Sequence, residues 1–88
     1  MRARGKYYAT AISTRADGKR FGHEVARQAR TFEKARAALD ESGLPGYVQV
    51  WSDVRQQRFI SAERRADGSW FSTDPFTGEQ VELDKAVA

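Results

Sequence analysis

Apolar and β-branched residues alternate with polar ones in several short runs of this chain, with the period of two that half-buried β-strands show. In the clearest run, residues 46–52, Val48 and Val50 fall on one face and Tyr47 and Trp51 on the other. The same pattern predicts further strands over residues 7–14, 20–28, 58–64 and 69–73, with residues 81–83 as a candidate edge strand.

One segment has the period of a helix instead. An apolar stripe with helical spacing runs from Phe32 to Leu39, and the charged residues between its members are left to solvent. Thr31 is suited to cap the first turn, and Gly43 stands where a left-handed residue ends a helix. The sequence therefore predicts one helix over residues 32–42.

A turn motif occurs twice, at Asp17-Gly18 and at Asp67-Gly68. Asp-Gly favours tight hairpins because glycine takes positive φ without strain. The first turn is compatible with two registers: a two-residue loop places Ile12 beside His23, whereas a type I turn with a glycine bulge places Ala11 there. The choice decides which strand face is core, because a slip of one residue exchanges the two faces.

The element order β-β-α-β-β-β predicts an α+β fold, in which an antiparallel sheet of four to five strands carries one helix on one face. A chain of 88 residues forms a single domain. We predict this domain over residues 7–83, between a flexible basic arm (residues 1–6) and a tail (residues 84–88). Because one short helix covers only one face of the sheet, we expect the other face to meet solvent or a partner.

The composition argues against a disulfide-bonded or membrane-spanning protein. Cysteine is absent, and no apolar run is long enough for a signal-peptide core or a membrane span. We therefore expect a cytoplasmic protein with no membrane partner.

Catalytic chemistry has little support. His23 is the single histidine, and the adjacent Glu24 points to the opposite face of the same strand. A catalytic set needs side chains that converge, and nothing in the sequence brings a nucleophile to His23. With no cysteine and no calcium-loop spacing, metal binding is equally unsupported. We predict a non-enzymatic protein with no catalytic residues, no metal, no cofactor and no small-molecule substrate.

The aromatic residues are too numerous to fit under one helix, and Trp, Tyr and Arg dominate the hot spots of protein interfaces. We therefore predict a small binding or regulatory module that acts on a protein partner or on a second copy of itself. Its size and composition would suit an accessory protein of a phage or mobile element. The candidate protein-binding residues are Tyr47, Trp51, Phe59 and Trp70.

Nucleic-acid binding is the alternative. Residues 1–36 hold ten Lys or Arg and three Asp or Glu, whereas residues 37–88 hold five and nine, within a net charge of +3. A basic arm can follow the phosphates of DNA or RNA, and a β-ribbon that carries arginine can enter the major groove of DNA. The candidate contacts for DNA or RNA are Arg2, Arg4, Lys6, Lys19, Arg20, Arg27 and Arg30. The acidic second half offsets this charge, so the sequence favours the protein-interaction hypothesis.

Overall fold

A computed structural model of the chain describes residues 5–74 and 77–83. Within them lie one helix and six strands. In chain order they are β1 (Tyr7–Thr14), β2 (Arg20–Ala29), α1 (Phe32–Ser42), β3 (Gly46–Ser52), β4 (Gln57–Arg64), β5 (Trp70–Thr73) and β6 (Gln80–Leu83).

All six strands join one antiparallel sheet in the order β2-β1-β3-β4-β5-β6, which confirms the predicted α+β class. The predicted number of four to five strands was too low, because β6 pairs with the whole of β5 and extends the sheet. The first four residues of the predicted arm and the whole predicted tail lie outside the described residues.

Both Asp-Gly turns contain a glycine in the left-handed conformation. Gly18 has a φ of 85° and Gly68 a φ of 90°, values that glycine reaches without steric cost. In the first hairpin, Ala11 stands opposite His23. The bulged register is therefore the one that forms, and Ala11 lies in the core beneath α1.

Helix α1 begins and ends where the sequence predicts. The Thr31 hydroxyl accepts a hydrogen bond from the Lys34 N–H at 3.2 Å, satisfying one of the free amides of the first turn. At the other end, Gly43 has a φ of 71° and its N–H donates to the carbonyl of Asp40 at 3.0 Å. The short β2–α1 connection then lays the helix back across β2, β1 and β3.

The core lies between α1 and the sheet, and it is built largely from small side chains. Because alanine adds little bulk, the helix and the strands approach each other closely at these positions. The buried core residues among those described are Ala9, Ala11, Ala35, Leu39, Val48, Ala62 and Trp70.

Trp70 connects the helix to the far half of the sheet and is 3% exposed. Its ring meets Phe32 edge-on, with centroids 6.3 Å apart, and the Arg36 guanidinium lies 5.0 Å from its centroid. The indole Nε1 donates to Asp40 Oδ1 at 2.9 Å, and the same oxygen accepts from Arg64 Nε at 2.9 Å. Three helical residues spaced by four thus hold one strand side chain.

Leu39 is the largest aliphatic side chain in the core and is fully buried. We expect Leu39→Ala to reduce the free energy of unfolding by about 3 kcal/mol, because the cavity cannot collapse fully between a helix and a hydrogen-bonded sheet. Urea denaturation measures this loss. The exposed Val54→Ala variant is the control, with an expected change within about 0.5 kcal/mol. A loss for Leu39→Ala as small as that of the control would contradict this packing.

Gly46 lets β3 approach β1 closely. A Cβ atom at this position would overlap the carbonyl oxygen of Thr10, which belongs to the sheet backbone and cannot move aside. We expect Gly46→Ala to destabilise the fold by about 1–3 kcal/mol. In the control Gly22→Ala, the close contact of the new Cβ would be with the Thr10 methyl group at 3.0 Å, a side-chain atom and not the sheet backbone. If the two variants had equal thermal stability, the close approach of β3 to β1 at Gly46 would not be what requires a glycine there.

Candidate interaction surface on the open face of the sheet

The sheet face opposite α1, here called the open face, is not covered by any helix among the described residues. Strand alternation and the pairing register place both apolar and charged side chains on it. Its apolar members are Tyr8, Ile12, Tyr47, Trp51, Ile60 and Phe71. Its charged members include Arg20, Glu24, Arg58, Glu63 and Arg65.

A shallow groove of about 380 Å³ lies at the β1–β2 side of the open face. Gly22 stands opposite Ile12 and lacks a side chain, so the sheet surface is lower there than on either side. Tyr47 and Arg20 also line the groove, and Phe21, 50% exposed, lies at its margin. The groove thus combines an apolar floor with one guanidinium group.

Tyr8 is buried although it lies on the open face. The Arg58 guanidinium carbon lies 3.7 Å from the centroid of its ring, at the distance of a stacked cation–π contact. Glu24 approaches Arg58 at 3.8 Å and Arg27 at 3.7 Å. Stacking fixes the plane of the Arg58 guanidinium, and the Arg58 side chain stays 33% exposed.

A second stacked arginine lies across the sheet. The Arg65 guanidinium carbon is 3.7 Å from the centroid of Phe71, and Arg65 Nη2 donates to Gln80 Oε1 at 3.2 Å. Gln80 Nε2 in turn donates to Glu63 Oε2 at 3.1 Å. The open face therefore holds two arginines, each in a defined position over an aromatic ring.

Trp51 is oriented by a small polar network at one end of the open face. Its Nε1 donates to Asp53 Oδ1 at 3.1 Å, and Lys6 Nζ donates to Asp53 Oδ2 at 2.6 Å. The Lys6 ammonium, by its hydrogen bond and its charge, holds the pKa of the Asp53 carboxyl below its usual value.

The predicted protein-binding residues divide between the two faces. Tyr47 and Trp51 lie on the open face, both half-buried. Phe59 stands opposite Val50 on the helix-side face, and Trp70 is part of the core. Trp70 thus packs within the domain, and only the first two aromatics are placed to meet a partner across the open face.

Sequence reasoning did not identify the stacked pairs Tyr8–Arg58 and Phe71–Arg65. The alternation in β1 does place Tyr8 and Ile12 on one face, which is a usable signal. Which arginine lies over which ring depends on the β3–β4 register, and that register contains an irregularity at Val48–Gln49 that no local pattern announces.

The five predicted nucleic-acid-binding residues that the structure describes do not form one patch. Lys19 and Arg20 lie at the tip of the first hairpin, whereas Lys6, Arg27 and Arg30 lie near the opposite ends of β1 and β2. The remaining two candidates, Arg2 and Arg4, lie outside the described residues.

His23 is exposed on β2, opposite Ala11. In the part of the chain that the structure describes, no group of three or more His, Asp or Glu side chains is placed to hold a metal ion. Nor is any helix formed by the described residues long and apolar enough to cross a membrane.

Comparison of the chain with models of protein families, with curated proteins and with solved structures finds no match. The open face and the sheet edges are therefore the features from which a function can be inferred.

The ion pair between Lys6 and Asp53 yields a pH prediction. Because the folded-state pKa of Asp53 is depressed, its contribution to stability is present above the ordinary carboxyl pKa and is lost as the pH falls through the folded value. We expect Lys6→Met to raise the Asp53 pKa towards its ordinary value. Carboxyl ¹³C shifts followed by NMR measure the pKa. Lys34→Met, which removes an exposed lysine of α1, is the control and should leave it unchanged.

Proposed function

We propose that this protein is a non-enzymatic binding module that docks on a partner protein through its open face. The observation that carries the proposal is the uneven covering of the sheet. One face packs on α1, while the other presents aromatic and aliphatic side chains around a shallow groove. Aromatic residues and arginine are enriched at the centres of protein interfaces.

The groove gives the contact an anchor point. Its floor at Gly22 and its walls at Ile12 and Tyr47 suit an apolar side chain of the partner. Ile60, 39% exposed, lies on the same face farther along the sheet and extends the apolar area.

The stacked arginines support a protein partner in a second way. Arg58 and Arg65 are already held over aromatic rings, so binding does not have to order them. Preorganised side chains lose less conformational entropy when they enter an interface. Their exposed donors favour acidic residues around the rim of a binding site.

Direct nucleic-acid binding is the less favoured alternative. The basic candidates that the structure describes lie at two ends of the β1–β2 hairpin, and Lys6 is engaged by Asp53. Glu24 and Glu63 lie among the arginines of the open face, which lowers its positive potential.

The open-face double variant Tyr47→Ala/Trp51→Ala tests the proposal. The immobilised unaltered protein is used to capture partners. The affinity of a purified partner for the unaltered protein and for the double variant is then measured by calorimetry. We expect the double variant to weaken binding by about 30-fold or more, corresponding to about 2 kcal/mol at the hot spot. The control Val81→Ala alters an exposed apolar residue of β6 on the opposite face and should leave the affinity unchanged.

The double variant Arg2→Ala/Arg4→Ala separates the two functions, because it removes basic candidates and leaves the Lys6–Asp53 contact beside Trp51 intact. A protein-binding module should keep its affinity in this variant and vary little with salt. Binding of a DNA or RNA probe that falls steeply with salt, and that this double variant weakens while the open-face variant does not, would contradict the proposal.

A further inference from the structure

The first half of β2 is a sheet edge that no other strand or helix of the described residues covers. β2 is the outermost strand beside β1, and its residues Arg20 to Glu24 are all exposed. Helix α1 packs against its second half, where Val25, Ala26 and Ala29 contact the core. An edge strand with free backbone groups is a template for pairing with another strand.

The pairing pattern shows which backbone groups of β2 point outward. In the first hairpin the Arg15 N–H donates to the Lys19 carbonyl at 2.7 Å, so this pair is a hydrogen-bonded one. Hydrogen-bonded and non-hydrogen-bonded pairs alternate along an antiparallel ladder. Counting along the register, the N–H and C=O groups of Arg20, Gly22 and Glu24 therefore point away from β1.

We propose that the protein forms a two-fold dimer by antiparallel pairing of its β2 edges, with the symmetry axis at Gly22. In this register Gly22 faces the second copy's Gly22, and Arg20 faces the second copy's Glu24. All three outward-pointing residues then form hydrogen-bonded pairs, and the two sheets become one continuous sheet. This inference uses the strand edge and does not depend on the open-face proposal.

Charge complementarity selects this register. Arg20, Gly22 and Glu24 share one face of the strand, so each Arg20 lies directly across from a carboxylate of the second copy, twice per dimer. If the second copy's strand shifted by one residue, backbone groups that point outward would face groups that point back to β1. If it shifted by two residues, Arg20 would no longer lie opposite the second copy's Glu24.

The surroundings of the strand are compatible with this pairing. Glu24 approaches its own-chain arginines at 3.7 and 3.8 Å, longer than the 2.7–2.9 Å or so of a charge-assisted hydrogen bond, so its carboxylate retains accepting capacity. Gly22 places no side chain at the axis. On the other face of the strand, the half-exposed Phe21 would lie beside the second copy's His23 and lose exposed apolar area.

Amide hydrogen exchange at several protein concentrations, combined with sedimentation velocity, tests the dimer. We expect the amides of Arg20, Gly22 and Glu24 to become protected as concentration rises, in step with the dimer fraction. The amides of Phe21 and His23 already pair with β1 and serve as internal references.

Charge exchange tests the register. Arg20→Glu and Glu24→Arg should each weaken the dimer by about tenfold or more, because each places like charges opposite one another. The double variant Arg20→Glu/Glu24→Arg should restore it, since the pairs are then reversed but complementary. Trp51→Ala, on the open face, should leave the dimer intact.

Three results would overturn the inference. One is a monomer at every concentration up to the millimolar range. Another is a dimer that leaves the Gly22 amide unprotected. The third is a dimer that responds to Trp51→Ala but to neither single charge variant, which would place the contact on the open face instead.

Discussion

The arrangement of this domain depends on the contacts of the Trp70 indole. The indole lies between β5 and α1, and its Nε1 and the Arg64 guanidinium meet on the same oxygen of Asp40. Arg64 Nη1 also donates to the Leu44 carbonyl at 2.8 Å, just beyond the end of the helix. A polar contact of this kind, partly shielded from water, fixes a direction that apolar packing alone leaves open.

That contact ties α1 to the core side of the sheet. With Phe32, Arg36 and Asp40 all directed at Trp70, the helix stripe covers β1 and β3 and reaches across to β5. Ala9, Ala11 and Ala62 leave room for this close approach.

The open face combines aromatic rings with stacked arginines. On the open face, aromatic rings are partly covered by the chain's own arginines, which keeps apolar area out of water while presenting charged donors at fixed positions. The β2 edge lies beside the open face. Its outward backbone groups belong to Arg20, Gly22 and Glu24, and Arg20 and Glu24 carry opposite charges. In the proposed dimer, the open faces of the two copies would lie on one continuous sheet.

The sequence by itself determined the local structure of this protein. Helix α1 followed from the stripe ending at Leu39 and from the capping residues Thr31 and Gly43, and the two turns followed from Asp-Gly, because these features act over a few neighbouring residues. Only the tertiary structure decided which aromatics are core and which are surface. Trp70 and Trp51 have similar local sequence character, but Trp70 lies beneath the helix and Trp51 on the open face. That outcome depends on the choice of turn register and on the bulge in the β3–β4 pairing, where a shift of one residue reverses the faces, and such shifts are settled by contacts between residues distant in the chain.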